Sequence, residues 1–123
     1  MNYWFLAAAA AAVLTFVVHV FLGGRYVAKP LLKADGLGEV AKYTAYYCWH
    51  LVSIVLAGMA LAFLRAGLFT GGREVAAASL VFATCAFLWS LMLISRWKLS
   101  WIKFPQWMLF ALVMILGAGG LWL

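Results

Sequence analysis

The sequence predicts an all-α fold: an integral membrane four-helix bundle with both termini on the outer (periplasmic or extracellular) side. Three observations carry this expectation. Four stretches contain no Lys, Arg, Asp or Glu: Met1–Gly24, Tyr43–Leu64, Val75–Ser95 and Phe104–Leu123. Each is about 20 residues or longer, the length needed to cross the hydrocarbon core of a bilayer. Apolar residues make up 69% of the chain and charged residues 10%, whereas a soluble domain has roughly 45–50% and 25%. A single domain of 123 residues has too little interior to hide so much apolar surface. Finally, the basic residues are unevenly placed. The first connection carries Arg25, Lys29, Lys33 and Lys42, the second Arg65 and Arg73, and the third Arg96, Lys98 and Lys103. The positive-inside rule therefore puts connections one and three in the cytoplasm and both termini outside. The four spans are expected at about 3–22, 43–64, 75–95 and 104–123.

The first span begins with Tyr3 and Trp4, amphipathic rings that settle at a membrane interface. The run Ala7–Ala12 offers a narrow, smooth surface, and small residues are what let membrane helices approach closely. Thr15 and His19 lie four apart and share a face. Met1-Asn2-Tyr3-Trp4 lacks a positive n-region, so the span is expected to stay as an anchor rather than be cleaved. Gly23-Gly24 is expected to break the helix. The first connection then runs from Arg25 to Lys42, with Pro30 placed to start a short interfacial helix that Gly36 and Gly38 end. It holds Asp35 and Glu39, two of the three acidic residues.

The second span carries the cluster Tyr43, Tyr46, Tyr47 and Trp49 as its cytoplasmic belt. His50 lies about 10 Å below Tyr43 by helical rise. His50, Ser53 and Ala57 share a face, and such a small and polar stripe points to helix contact. The second connection, Arg65 to Glu74, is rich in glycine, with Thr70 as a candidate cap for the third helix. That helix shows another small-residue surface through Ala76, Ala77, Ala78, Ser79, Ala83, Thr84 and Ala86. The third connection, Arg96 to Pro105, alternates basic and aromatic residues. Nucleic-acid grooves mix the same types, but beside a span they read as interface anchors. The net charge of +6 thus faces anionic lipid headgroups rather than nucleic acid. Pro105 starts the fourth helix, and Gly117, Gly119 and Gly120 permit close contact near its outer end.

The ionisable groups that stand out are the two histidines. His50 sits inside an uncharged span, where such a group is costly and needs a reason. His19 is about 5 Å inside the same boundary and His50 about 10 Å, so on neighbouring helices they are placed to face each other. Three readings follow. Each histidine hydrogen-bonds a neighbour and secures packing. The pair binds a b-type haem through two axial imidazoles, with Arg25, Lys42 or Arg96 at the propionates. Or the pair lines a polar pocket for a lipid, quinone or proton path, or binds another metal. A zinc site wants more ligands than these two. Cys48 and Cys85 lie in different helices with no Cys-x-x-Cys, which leaves disulfide exchange without its equipment. No nucleophile elbow, zinc-protease motif or phosphate loop is present.

The functional expectation is a small polytopic protein of the bacterial inner (plasma) membrane, in which no catalytic set points to an enzyme. It packs against other transmembrane helices, or against itself, as an accessory or subunit of a larger assembly. The alternative is a membrane-embedded bundle that binds b-type haem, quinone or lipid through His19, His50 and Arg25, in electron transfer.

Overall fold

A computed structural model describes all residues from Met1 to Leu123, and it contains helices and no strands. Helix α1 spans Tyr3–Leu32, α2 Glu39–Leu68, α3 Arg73–Trp97 and α4 Gln106–Trp122. The first three are long and apolar enough to cross a membrane, by length and composition. With 17 residues, α4 is about 26 Å long at 1.5 Å per residue, slightly less than the roughly 30 Å of a hydrocarbon core.

The helices alternate in direction, which brings three segments together at one end. The backbone N–H of Asn2 donates to the carbonyl of Gly67 at 2.9 Å. Its side-chain Nδ2 donates to the carbonyl of Gly120 at 3.0 Å. Its Oδ1 accepts from the N–H groups of Trp4 and Phe5 at 3.0 and 3.2 Å. Asn2 is thus the N-cap of α1 and also ties it to the ends of α2 and α4. The Arg73 guanidinium donates to the Leu121 carbonyl and holds the start of α3 to the same place. Both termini and the second connection therefore share one end. The first and third connections, with seven of the nine basic residues on or beside them, occupy the other.

Helix α1 lies between α2 and α4, and α3 packs mainly on α4. The alanine run makes this possible. Ala8, Ala9, Ala11 and Ala12 are all buried, and a face without long side chains lets both neighbours come close. The glycines of α4 meet it from the other side. A Cβ at Gly120 would lie 2.3 Å from the Phe5 ring, and one at Gly119 would lie 2.5 Å from Trp4. Phe5 stacks on Phe63 of α2 with centroids 6.1 Å apart, and Gly117 fits against the same Phe63 ring. The close approaches expected of Ala7–Ala12 and of Gly117, Gly119 and Gly120 are therefore present.

Several element boundaries differ from expectation. Gly23-Gly24 does not break α1. The helix runs on past them to Leu32 by changing its hydrogen bonding to a π-helix over Val18–Ala28 and back to an α-helix over Lys29–Leu32. A glycine costs a helix only about 1 kcal/mol, less than leaving backbone groups unpaired in an apolar setting. Pro30 lies in the last turns of the continuous helix, after Ala28 and Lys29 in helical conformation, so it extends α1 rather than starting a separate helix. The first connection is consequently only Lys33–Gly38. Thr70 does not cap α3; that position is Gly72, in the left-handed conformation with φ 86°. Helices α2 and α3 also reach outward through charged residues at both ends, from Glu39 and to Trp97. A charge criterion marks where the apolar run stops, whereas backbone hydrogen bonding continues past it.

Candidate functional site

The expected site residues come together where α1 and α2 cross near the basic end, with Trp49 at the centre. His19 Nε2 lies 3.1 Å from the Trp49 carbonyl oxygen. A carbonyl only accepts, so Nε2 carries the hydrogen, and in the neutral ring Nδ1 keeps the lone pair. Ser53 Oγ donates to the same carbonyl at 3.3 Å. The His19 ring stacks on the Trp49 indole at 4.6 Å between centroids. Tyr46 lies parallel to the indole at 6.3 Å. His50 meets both Trp49 and Tyr46 edge-on, at 4.9 and 4.5 Å.

Local structure explains the arrangement. Trp49 and His50 lie three and four residues after Tyr46, so both neighbour the Tyr46 ring on the α2 surface. On α1, the indole lies over Gly23 and Gly24. A Cβ at either position would be 3.6 to 3.8 Å from the ring, ordinary contact distance. The small residues give the indole a flat floor beside His19.

The two histidines therefore share a level, but they do not face each other across a gap. Trp49 stands between their helices and contacts both rings. His19 is half-buried and hydrogen-bonded. His50 is exposed, although Ser53 on its stripe is buried. Trp49 and Tyr46, which the sequence places in an interfacial belt, are turned toward α1, whereas Tyr43 and Tyr47 remain exposed. The paired glycines of α1 were the available signal: beside a histidine, they mark a place where a large ring can lie flat.

Next to this cluster is an open groove of about 570 Å³ between the π-helical part of α1 and the start of α2. Val20 and Phe21 line its apolar part, Arg25 and Lys29 its basic part, and Tyr46 and Trp49 its α2 wall. A π-helix has a wider turn than the 3.6 residues of an α-helix, so residues four to five apart align. That alignment carries Val20, Phe21, Arg25 and Lys29 to one side. Arg25 also lies over the Tyr26 ring at 5.7 Å. A second, apolar cleft of about 320 Å³ opens on α3, lined by Phe82, Trp89, Leu93 and Phe110 with Val52 of α2.

No three His, Cys, Asp or Glu side chains gather anywhere in the chain as a metal site would need. Every deeply buried side-chain polar atom has a hydrogen-bond partner. No family model, curated protein or solved structure matches the chain.

Proposed function

We propose that this is an integral protein of a bacterial inner (plasma) membrane, with both termini outside, that serves as a helix-packing accessory or subunit of a larger membrane assembly. The observation that carries this reading is the bareness of α3. Only 17% of its most apolar window is buried, against 33% for α1 and α2. Its outward face presents Val81, Phe82, Leu88, Trp89 and Met92. In water so large an apolar surface would drive association; in a bilayer it is free to meet lipid or another helix. Helix association there depends on shape and small residues, and Ala78 and Cys85 lie on the exposed side of α3.

The test uses that exposed thiol. In native membranes, oxidative or bifunctional cross-linking through Cys85 is expected to join α3 to a second copy or to another membrane protein. The same assembly is expected to survive gentle detergent extraction. A chain that resists alkaline extraction from membranes, yet stays a 13.6 kDa monomer with no cross-link, would end the subunit reading and leave the membrane reading standing.

The rival reading assigns His19 and His50 to a haem, a quinone or a lipid. Two axial imidazoles must aim at one iron from opposite sides. Here His19 Nε2 is engaged by the Trp49 carbonyl, and the indole covers the His19 ring. The arrangement suits a packing role for His19 and does not fit a bis-imidazole haem. Absorbance of the purified protein near 410 nm, lost in His50→Ala, would reverse this conclusion. The groove beside the cluster favours the lipid form of the rival reading.

A further inference from the structure

We propose that the groove between α1 and α2 is a binding site for one anionic glycerophospholipid, its phosphate held by Arg25 and Lys29 and an acyl chain lying along Val20 and Phe21. This rests on the membrane reading above. The lining supplies both halves of such a ligand. Arg25 and Lys29, four residues apart, stand at the edge toward the basic end, where headgroups would lie. Val20 and Phe21 are a turn further into the apolar part of α1 and offer a hydrocarbon contact. Tyr46 and Trp49 form an aromatic wall between the two, a placement that suits amphipathic rings at headgroup level.

Charge and size agree. None of the three acidic residues lines the groove. Neither Arg25 nor Lys29 takes part in the chain's side-chain hydrogen bonds, so both retain their donors for a ligand. An arginine matches the oxygens of a phosphate in fork geometry, and a lysine adds a compact charge. The volume of about 570 Å³ falls in the range of ligand clefts, roughly 300–1,000 Å³. The π-helical turn underlies all of this, because it sets these side chains on one side. Such segments are rare and occur frequently at functional sites.

The experiment is native mass spectrometry of the full chain released from nanodiscs, with palmitoyl-oleoyl phosphatidylglycerol against phosphatidylcholine as probes. Wild type is expected to retain phosphatidylglycerol with a preference of roughly tenfold or more, as two basic side chains near an anionic headgroup give. Arg25→Gln with Lys29→Gln is expected to lose that preference. Lys42→Gln with Lys103→Gln removes the same charge from the same end outside the groove and is expected to keep it. Equal loss in both double variants would mean diffuse attraction and would overturn the site. Displacement of the lipid by millimolar inorganic phosphate would mean a free-anion site and would overturn the lipid assignment. Phosphatidylglycerol with a photoactivatable acyl chain gives a readout on wild type alone. Label on Val20, Phe21 or Trp49 is expected, and label confined to α3 and α4 would overturn the proposal. Release of the chain from membranes by alkaline carbonate would instead defeat the membrane reading, before any lipid is measured.

Discussion

His19 on α1 donates to the main-chain carbonyl of Trp49 on α2 across 3.1 Å, and the Trp49 indole folds back to stack on the same imidazole at 4.6 Å. One residue thus receives a histidine twice, by its backbone and by its ring. This fastens the two helices at the basic end, as Asn2 fastens α1 to α2 and α4 at the other.

His19→Phe keeps a flat ring on the indole but removes the hydrogen bond, and is expected to lower stability by about 1 kcal/mol. His50→Leu is expected to insert normally and lose no stability. His50 is exposed, and the change removes a polar burden of about 1–3 kcal/mol from a span. Thermal unfolding in detergent, followed by circular dichroism, checks both. A larger loss from His50→Leu than from His19→Phe would sink this assignment of roles.

Gly120 and Gly58 form a matched pair for testing close packing. A Cβ at Gly120 meets the Phe5 ring at 2.3 Å, whereas one at Gly58 meets nothing within 4 Å. Gly120→Ala is expected to cost about 1–3 kcal/mol by overpacking. Gly58→Ala is expected to gain up to about 1 kcal/mol from helix propensity. Equal melting temperatures for the two variants would contradict the observed approach of α4 to α1.

Asn2→Ala removes the N-cap of α1 and the side-chain bond to Gly120 together. The expected loss is about 1–2 kcal/mol. Asn2→Asp retains the cap acceptor but not the Nδ2 donor, so it should recover only part of the loss. Full recovery would show that the tie to α4 contributes nothing.

Lys98 ends α3 in the left-handed conformation at φ 51°, the sole residue other than glycine with positive φ. For an L-residue this costs roughly 1–2 kcal/mol. Glycine has no Cβ to clash there but loses more backbone freedom on folding, so Lys98→Gly is expected to stabilise by less than about 1 kcal/mol. Lys98→Val should destabilise. A rise in melting temperature for the valine variant would contradict the backbone assignment.

Reporter fusions at both termini are expected to give the same sidedness, because Asn2 and Gly120 meet at one end. By the positive-inside rule the basic residues at the opposite end lead us to expect an outside signal from both fusions. A cytoplasmic signal from the C-terminal fusion would overturn the orientation, and signals from opposite sides would overturn the up-and-down arrangement itself.

The sequence by itself determined the helical class and the four apolar segments, because hydrocarbon-length runs without charge leave few other structures open. It also pointed correctly to the alanine face of α1 and the glycines of α4, since small residues announce close backbone approach wherever they cluster. It could not determine that α1 runs through Gly23-Gly24. Whether a glycine pair ends a helix depends on what lies against it, and here Trp49, from 25 residues further along, lies flat on both. Nor could spacing alone show that His19 and His50 are separated by that indole. Depth along a helix follows from counting, but the rotation of α2 against α1 is set by packing. Only the tertiary structure turned Tyr46 and Trp49 inward, left His50 exposed, and lined up Arg25 and Lys29 on a widened helical turn. The reason is physical: periodicity fixes which residues share a face, while the neighbouring surface decides which face is used.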